Sequence, residues 1–378
     1  MKSRLTTAIL FFILIMLLGA IILFGGMMYI NLIDNESNQV VYKIENIAIE
    51  EPETEKKLEK SNQSISESIQ GISTNSIQES QSVMLNDTGN TINRYFYNQL
   101  IGNQKIIYDR LNDNKPNLKQ GNYVIEFGET FSNTLSEENG SEQLGRDYQT
   151  AIEALMHDNP DLFYIDVNKM YLNIETTTKF FRTTYNVYIS AAQGETYLSD
   201  DFSSTAQIEK AIAEIEEVKN NVINSLKGED YKKILFIHDY LVKNIEYDSS
   251  YEAIGSYNIY GALVGGKCVC EGYAKAFKYL LNAAGLECEI MQGTATNSSG
   301  KVESHAWNCV KLDGTWYGVD VTWDDPIIIG NYGIVTKDIR YQYFLKGEYT
   351  FEKDHILSYQ FSEGGKMFSY PEISKSDY

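Results

Sequence analysis

Cysteine is scarce in this chain of 378 residues: only Cys268, Cys270, Cys288 and Cys309 occur. Four thiols are too few to staple a disulfide scaffold, and their confinement to one region asks for a local chemical reason. Positive charge is also short, with 32 Lys and Arg against 52 Asp and Glu, a formal net charge of -20. Such a chain repels polyanions, which excludes nucleic-acid binding by electrostatic attraction. Charge of either sign is missing altogether from Leu5 to Ile33, and aromatics are nearly missing from Asn35 to Arg94, where Tyr42 stands alone. The rest is globular in composition, with 43% hydrophobic and 12% aromatic residues.

The uncharged run exceeds the roughly 20 apolar residues that span a bilayer and is about twice the core of a cleaved signal. With Lys2 and Arg4 before it and Asp34 and Glu36 after it, the positive-inside bias predicts a single-pass anchor whose carboxyl-terminal side is extracytoplasmic. The expected order is a cytoplasmic tail (1–4), a transmembrane anchor (5–33), a flexible polar stalk (34–90), a mixed α/β module (91–203) and a carboxyl-terminal domain (204–378). The stalk, with SNQSISESIQ at its centre, buries too little apolar surface to offset the entropy of ordering.

In the mixed module, YVIEF (123–127), MYLNI (170–174) and YNVYI (185–189) read as strands, and Leu144, Tyr148, Ile152 and Leu155 mark one helix face. His157 falls at the end of that helix. From Ser204 two amphipathic helices follow, one through Ile208, Ile212, Ile215, Val218 and Val222, the other through Ile234, Ile237, Leu241 and Ile245. His238 lies on the second, beside its apolar face, as a hydrogen-bonded structural residue.

Chemistry concentrates further on. In GGKCVCEGYAKAFKYLLNAAGLE a glycine-rich approach precedes helically spaced apolar residues and a Gly285 stop, which puts Cys270 at a helix amino terminus. Unpaired N–H groups and the helix dipole there favour a negative sulfur. Downstream, HAWNCVKL and TWYGVDVTW flank Asp313 and Gly314, a two-residue hairpin signature. That turn would set Leu312 opposite Thr315, Trp307 opposite Asp320 and His305 opposite Thr322, so that His305 and Asp320 share a face. The other face carries Ala306, Val310, Leu312, Val319 and Val321 as core, leaving the reactive face towards a cleft. Cys270 as nucleophile, His305 as base and Asp320 as orienting acid define an acyl-transfer site.

GKCVCEGYAKAF, HAWN and WYGVDVTWDDP, in this order, make the stretch from about Asp230 to Tyr349 resemble the transglutaminase-like superfamily of papain-like thiol enzymes. The resemblance implies an α+β fold with the cysteine helix packed on an antiparallel sheet, and the same three residues in the same roles. HDYLVKNIEYD, from His238 to Asp248, is similar to the helix that precedes the catalytic core in bacterial members. Cys268 stands where the family has a small residue, either as a tolerated one or as a thiol that could silence Cys270 under oxidation. Cys288 and Cys309 fit a disulfide or two buried thiols.

Trp307 and Trp323 are candidates for substrate contact or for aromatic packing, and Tyr257, Asn258 and Tyr260 for the side-chain oxyanion donor, with Tyr260 also placed among substrate-binding residues. Asp324 and Asp325, ahead of Pro326, read as a turn. No cofactor and no metal are expected, since Cys268 and Cys270 lack further ligands at zinc spacing. The expected partners are a peptide or protein substrate at the cell surface and the membrane through the amino-terminal helix. The expected function is amide hydrolysis, deamidation or acyl transfer, and the alternative is a non-catalytic surface or wall-binding scaffold on the same fold.

Overall fold

The computed structural model describes residues 37–43, 94–179, 181–325, 341–359 and 366–378. The expected anchor (5–33) and most of the expected stalk lie outside these residues. Among the described residues no helix is long and apolar enough to cross a membrane.

Two units form. The first comprises residues 37–43, 100–152 and 165–199. In chain order it holds β1 (Ser37–Lys43), α1 (Gly102–Asp113), β2 (Ile125–Gly128), most of α2 (Gly140–Asp158), β3 (Tyr171–Lys179) and β4 (Arg182–Ser190), the strands forming an antiparallel sheet in the order β1-β3-β4-β2. Leu144, Tyr148 and Ile152 are buried on α2 as their spacing requires. The Tyr148 hydroxyl donates to the Met170 carbonyl at 3.0 Å. Strand β1 corrects the expectation of an unbroken polar stalk from 34. Its QVVY run has strand propensity, and it pairs with β3 over its whole length, Ser37 opposite Thr177 and Lys43 opposite Tyr171.

The second unit takes residues 94–99, 153–164, 200–325, 341–359 and 366–378, so the module expected over 91–203 is not one contiguous block. The reason is visible at Asp158, whose carboxylate accepts the N–H groups of Phe96 (3.1 Å) and Tyr97 (3.0 Å), while the Phe96 ring lies beneath the Lys278 ammonium. Helix α3 (Thr205–Ser225) starts where Ser204 accepts the Gln207 N–H, and it buries Ile208, Ala211, Ile215 and Val222. Helix α4 (Asp230–Asn244) buries Ile234, Ile237, His238, Leu241 and Val242. Two short parallel strands, β5 (Glu246–Tyr247) and β6 (Lys267–Cys268), then lead into α5 (Cys270–Ala283).

Helix α5 packs on an antiparallel sheet of β7 (Cys288–Thr296), β8 (Val302–Leu312), β9 (Thr315–Val319) and β10 (His355–Leu357), in the order β10-β7-β8-β9. The α+β expectation holds. The β8–β9 hairpin turns on Asp313 and Gly314, both with positive φ (51° and 81°), and the ladder pairs Leu312 with Thr315 and Asn308 with Val319, as the two-residue turn demands.

Gly293 of β7 faces His305 on one side and Leu357 on the other. A Cβ there would stand 1.9 Å from the Ile356 carbonyl oxygen. Backbone cannot retreat as a flexible side chain can, so Gly293→Ala should displace β10 and cost about 2 kcal/mol or more in urea unfolding. A midpoint equal to the parent's would show that β10 is not held by this close approach.

Candidate active site

Cys270 is the first residue of α5, after an extended Val269, and is 8% exposed. Two neighbours force that placement. Gly272 leaves no room for a side chain, because a Cβ would meet the Cys268 Cβ at 2.5 Å and the Ser256 carbonyl oxygen at 2.9 Å. Ser256 in turn accepts the Val269 N–H at 2.9 Å. The buried Asp248 carboxylate secures the loop before it, accepting from the Ser250 and Ser256 hydroxyls and the Ala253 N–H. Beneath the sulfur, Ala274, Ile290 and Ala306 form an apolar floor.

His305 reaches the site from β8, and its Nε2 lies 2.7 Å from Asp320 Oδ2. Burial alone would lower this imidazole, but the Asp320 charge and hydrogen bond, then the Cys270 side chain hydrogen bond and charge, raise it to about 10. Asp320 is fully buried, which would raise its carboxyl. The charge of His305 and the hydrogen bonds from His305 and His355 outweigh that effect and hold it well below the usual carboxylate range. With Nε2 engaged by the carboxylate, Nδ1 is the nitrogen left to face Cys270, whose side chain helps raise the imidazole.

The route by which Asp320 arrives differs from the expected one. The β8–β9 ladder ends at Asn308 and Val319, so the expected pairs of Trp307 with Asp320 and His305 with Thr322 do not form. At Asp320 the chain bends into a turn: its N–H donates to the Tyr343 carbonyl (3.1 Å), and its own carbonyl accepts the Asp324 N–H (3.1 Å). Asp320 Oδ1 caps the bend by accepting the Trp323 N–H at 3.1 Å. The bend, not ladder register, aims the carboxylate at His305. The expected turn at Asp324 and Asp325 is present and buried: Asp324 binds His238 Nε2 at 3.0 Å, and Asp325 accepts the Tyr273 hydroxyl at 2.8 Å. His238 is thereby the structural histidine the helix pattern suggested, and His157 is buried against Phe96.

Residues from 341–359 pack over the sheet face that carries His305, and a cavity lined by Met291, Trp307, Phe351 and His355 lies on that face. Trp307 is 2% exposed, parallel to the His305 ring at 6.0 Å and to Phe351 at 6.3 Å. Trp323 is half-buried, its ring 5.2 Å from that of His305. Both tryptophans therefore wall the imidazole, and Trp323 is the one with a surface to offer a substrate. Tyr260 is not brought in. Its hydroxyl points to Glu214 at 3.4 Å and its ring packs on Phe163 and Phe202. Asn258 caps the backbone, accepting the Tyr260 N–H at 2.9 Å and donating to the Phe163 carbonyl at 3.4 Å, and Tyr257 is 47% exposed.

A phenol close enough to feel the charge of Cys270 is Tyr247, which the sequence motifs did not single out. It pairs with Cys268 across β5 and β6, two residues before Cys270. Burial first, then the charges of Cys270 and Tyr251, raise it far above an ordinary phenol, so it remains a neutral donor. Its signal was faint: a tyrosine at the end of a short extended stretch after a helix.

All four cysteines are free and buried, which resolves Cys288 and Cys309 as thiols. Burial pushes the thiols of Cys268, Cys288 and Cys309 up. His305, Asp320 and His355 gather donor atoms within 4.8 Å of one another, the spacing of a metal set. Here, however, Asp320 Oδ2 already accepts both imidazole Nε2 atoms, at 2.7 and 3.2 Å. An ion between them would displace the protons that hold the three together, and aromatic rings close around it, so the donor set fits shared protons better than a cation.

The helix that opens with Cys270 thus packs on the antiparallel sheet that carries His305, with Asp320 supplied by the bend after β9. Residues 216–321 match the transglutaminase-like superfamily core, so this chain carries a transglutaminase-like core domain. The kyphoscoliosis peptidases of Mus musculus and Homo sapiens are each 33% identical to it over 98 residues, 24% of this chain. The chain spans 15% of the length of these relatives. Among solved structures, a TGase aligns at 12% identity over 44% of this chain and 47% of its own, with a TM-score of 0.29. The periplasmic domain of TgpA from Pseudomonas aeruginosa aligns at 16% identity over 41% of this chain and 72% of its own, with a TM-score of 0.22.

Proposed function

We propose that this chain is a membrane-anchored, extracytoplasmic thiol enzyme acting on peptide or protein amides through a Cys270 acyl-enzyme. The observation that carries this reading is the placement of Cys270 at the start of α5 together with the buried His305–Asp320 pair at 2.7 Å, an imidazole whose titration Cys270 influences. The Cys270 thiolate attacks the amide carbonyl carbon and the carbonyl π electrons move to oxygen. The Cys270 N–H at the helix start and the neutral Tyr247 phenol are the donors for that oxyanion. As the tetrahedral species collapses, the C–N bond breaks and the imidazolium of His305 gives its proton to the departing amine. Water or a second amine then attacks the thioester, His305 takes its proton, and the thiolate leaves.

The charge-free run Leu5–Ile33 and the basic residues before it support the anchored, outward-facing topology. Half-buried Trp323 beside His305 supports an acyl group with an extended apolar contact.

The test is covalent labelling of the purified protein by a thiol-directed electrophile, with mass spectrometry of products from Gln-containing peptides and an added amine. Cys270→Ala should abolish labelling and turnover. Labelling that survives the substitution rejects Cys270 as the reactive group. Labelling of the parent without any change in peptide or amine would favour a binding scaffold.

A further inference from the structure

Asp320 has a second histidine. His355, from β10, places Nε2 at 3.2 Å from Asp320 Oδ2, the same oxygen that takes His305 Nε2. Its other nitrogen lies 2.7 Å from Asp354 Oδ1, and Asp354 Oδ2 accepts the Tyr343 hydroxyl at 2.6 Å. The ring is 6% exposed and boxed by Trp323, Phe351, Trp307 and Tyr343, at centroid distances of 4.7, 4.8, 4.9 and 5.2 Å. A phenylalanine would fill such a box without any polar atom to satisfy. An imidazole there, gripped at both nitrogens, has a directional task.

We infer that His355, held by Asp354, is a positioning residue that fixes the Asp320 carboxylate for His305, extending the catalytic line to Cys270–His305–Asp320–His355–Asp354. The inference rests on the proposed thiol-enzyme reading. The Asp320 carboxylate has three donors: the Trp323 N–H on Oδ1, and His305 and His355 on Oδ2. Without the third, Oδ2 keeps a lone pair aimed into an aromatic wall and the carboxylate can rotate, which loosens the tautomer and angle of His305. The register supports a built arrangement. His355 pairs with Ala295 and His305 with Gly293 on the shared strand β7, so both imidazoles stand on one face, diagonal to each other. The titratable groups around the pair are Cys270 from α5, Asp320 and Asp324 from the bend, Tyr343 from the covering segment, and Asp354 beside His355.

Two substitutions separate direction from packing. In His355→Gln the amide nitrogen falls near the position of Nε2 and keeps the donor to Asp320. In His355→Asn it falls near Nδ1, keeping Asp354 and losing Asp320. The readout is the rate of Cys270 alkylation by iodoacetamide across pH in the full-length chain, with Cys270→Ala as background. Because alkylation needs no substrate, it reports on the line even if no amide is turned over, whereas failure of the function reading appears as peptide chemistry absent from a normally alkylated parent. His355→Asn should slow alkylation by about tenfold or more near neutrality and displace its pH profile, while His355→Gln stays within about threefold of the parent, the worth of one charge-assisted hydrogen bond. Equal behaviour of the two folded variants overturns the inference, as does an undisplaced profile in His355→Asn. If circular dichroism shows that both fail to fold, Asp354→Asn decides, since it loosens the ring while leaving its contact with Asp320. A parent-like profile there overturns the inference, and a displaced one supports it.

Discussion

Asp320→Asn should lower turnover by about 10³ to 10⁴-fold with little change in KM, because an amide in place of the carboxylate lets His305 adopt the tautomer that cannot take a proton from sulfur. A loss of less than about tenfold in kcat would mean that another group orients His305. The same substitution has a pH signature. The folded His305 value is raised, from 6.5 to about 10, so the contribution of its ion pair to stability is fully present below 6.5 and is lost as pH rises through about 10. Asp320 is held below its ordinary 3.8, so the contribution is present above that value and fades as pH falls further. The difference in unfolding free energy between parent and Asp320→Asn should therefore form a plateau between these ordinary values and shrink towards alkaline pH. A difference that grew from neutral to alkaline pH would contradict the assigned pair.

Lys278→Met should be the most destabilising single change at the back of the nucleophile helix, at about 3 to 5 kcal/mol. Lys278 on α5 meets Glu289 on β7 at 2.6 Å, with both side chains fully enclosed. Burial would lower the ammonium, but the charges of Glu289 and Asp158 raise it, so it stays cationic. Removing it leaves the carboxylates without their counter-ion in a site from which water is excluded. The double variant Lys278→Met with Glu289→Leu should recover most of the loss, since well-packed apolar groups often match a buried ion pair. Denaturant titration of parent, single and double variants measures this. A single variant within about 1 kcal/mol of the parent, or a double variant as damaged as the single, would refute it.

Local signals carried much of this molecule into view before any coordinates. The Asp313-Gly314 turn set the pairs from Leu312–Thr315 to Asn308–Val319, apolar spacing outlined two helices, and the glycine-rich approach located Cys270 at a helix start. What stayed hidden was non-local. Nothing in WYGVDVTWDDP announces that the chain leaves the strand at Asp320, because the bend is stabilised by the Tyr343 carbonyl, which lies 23 residues further on. His355 is likewise distant from its partner in sequence (|i−j| = 35) and sits in a three-residue strand too short to show periodicity. The pairing of Lys278 with Glu289 was equally hidden, since it joins a helix to a strand through side chains whose burial no local pattern announces. Tyr260 was attractive as a donor near the nucleophile in sequence, but tertiary packing gave its hydroxyl to Glu214.

The bend at 320–325 serves three masters. Asp320 answers to β8 and β10, Asp324 to α4 through His238, and Asp325 to α5 through Tyr273. Six consecutive residues thus act as a keystone whose length is under tighter constraint than its composition. Inserting or deleting one residue there would misalign the catalytic acid and unlatch two helices in the same stroke, so variation among working copies of this domain is expected to spare the spacing of those aspartates.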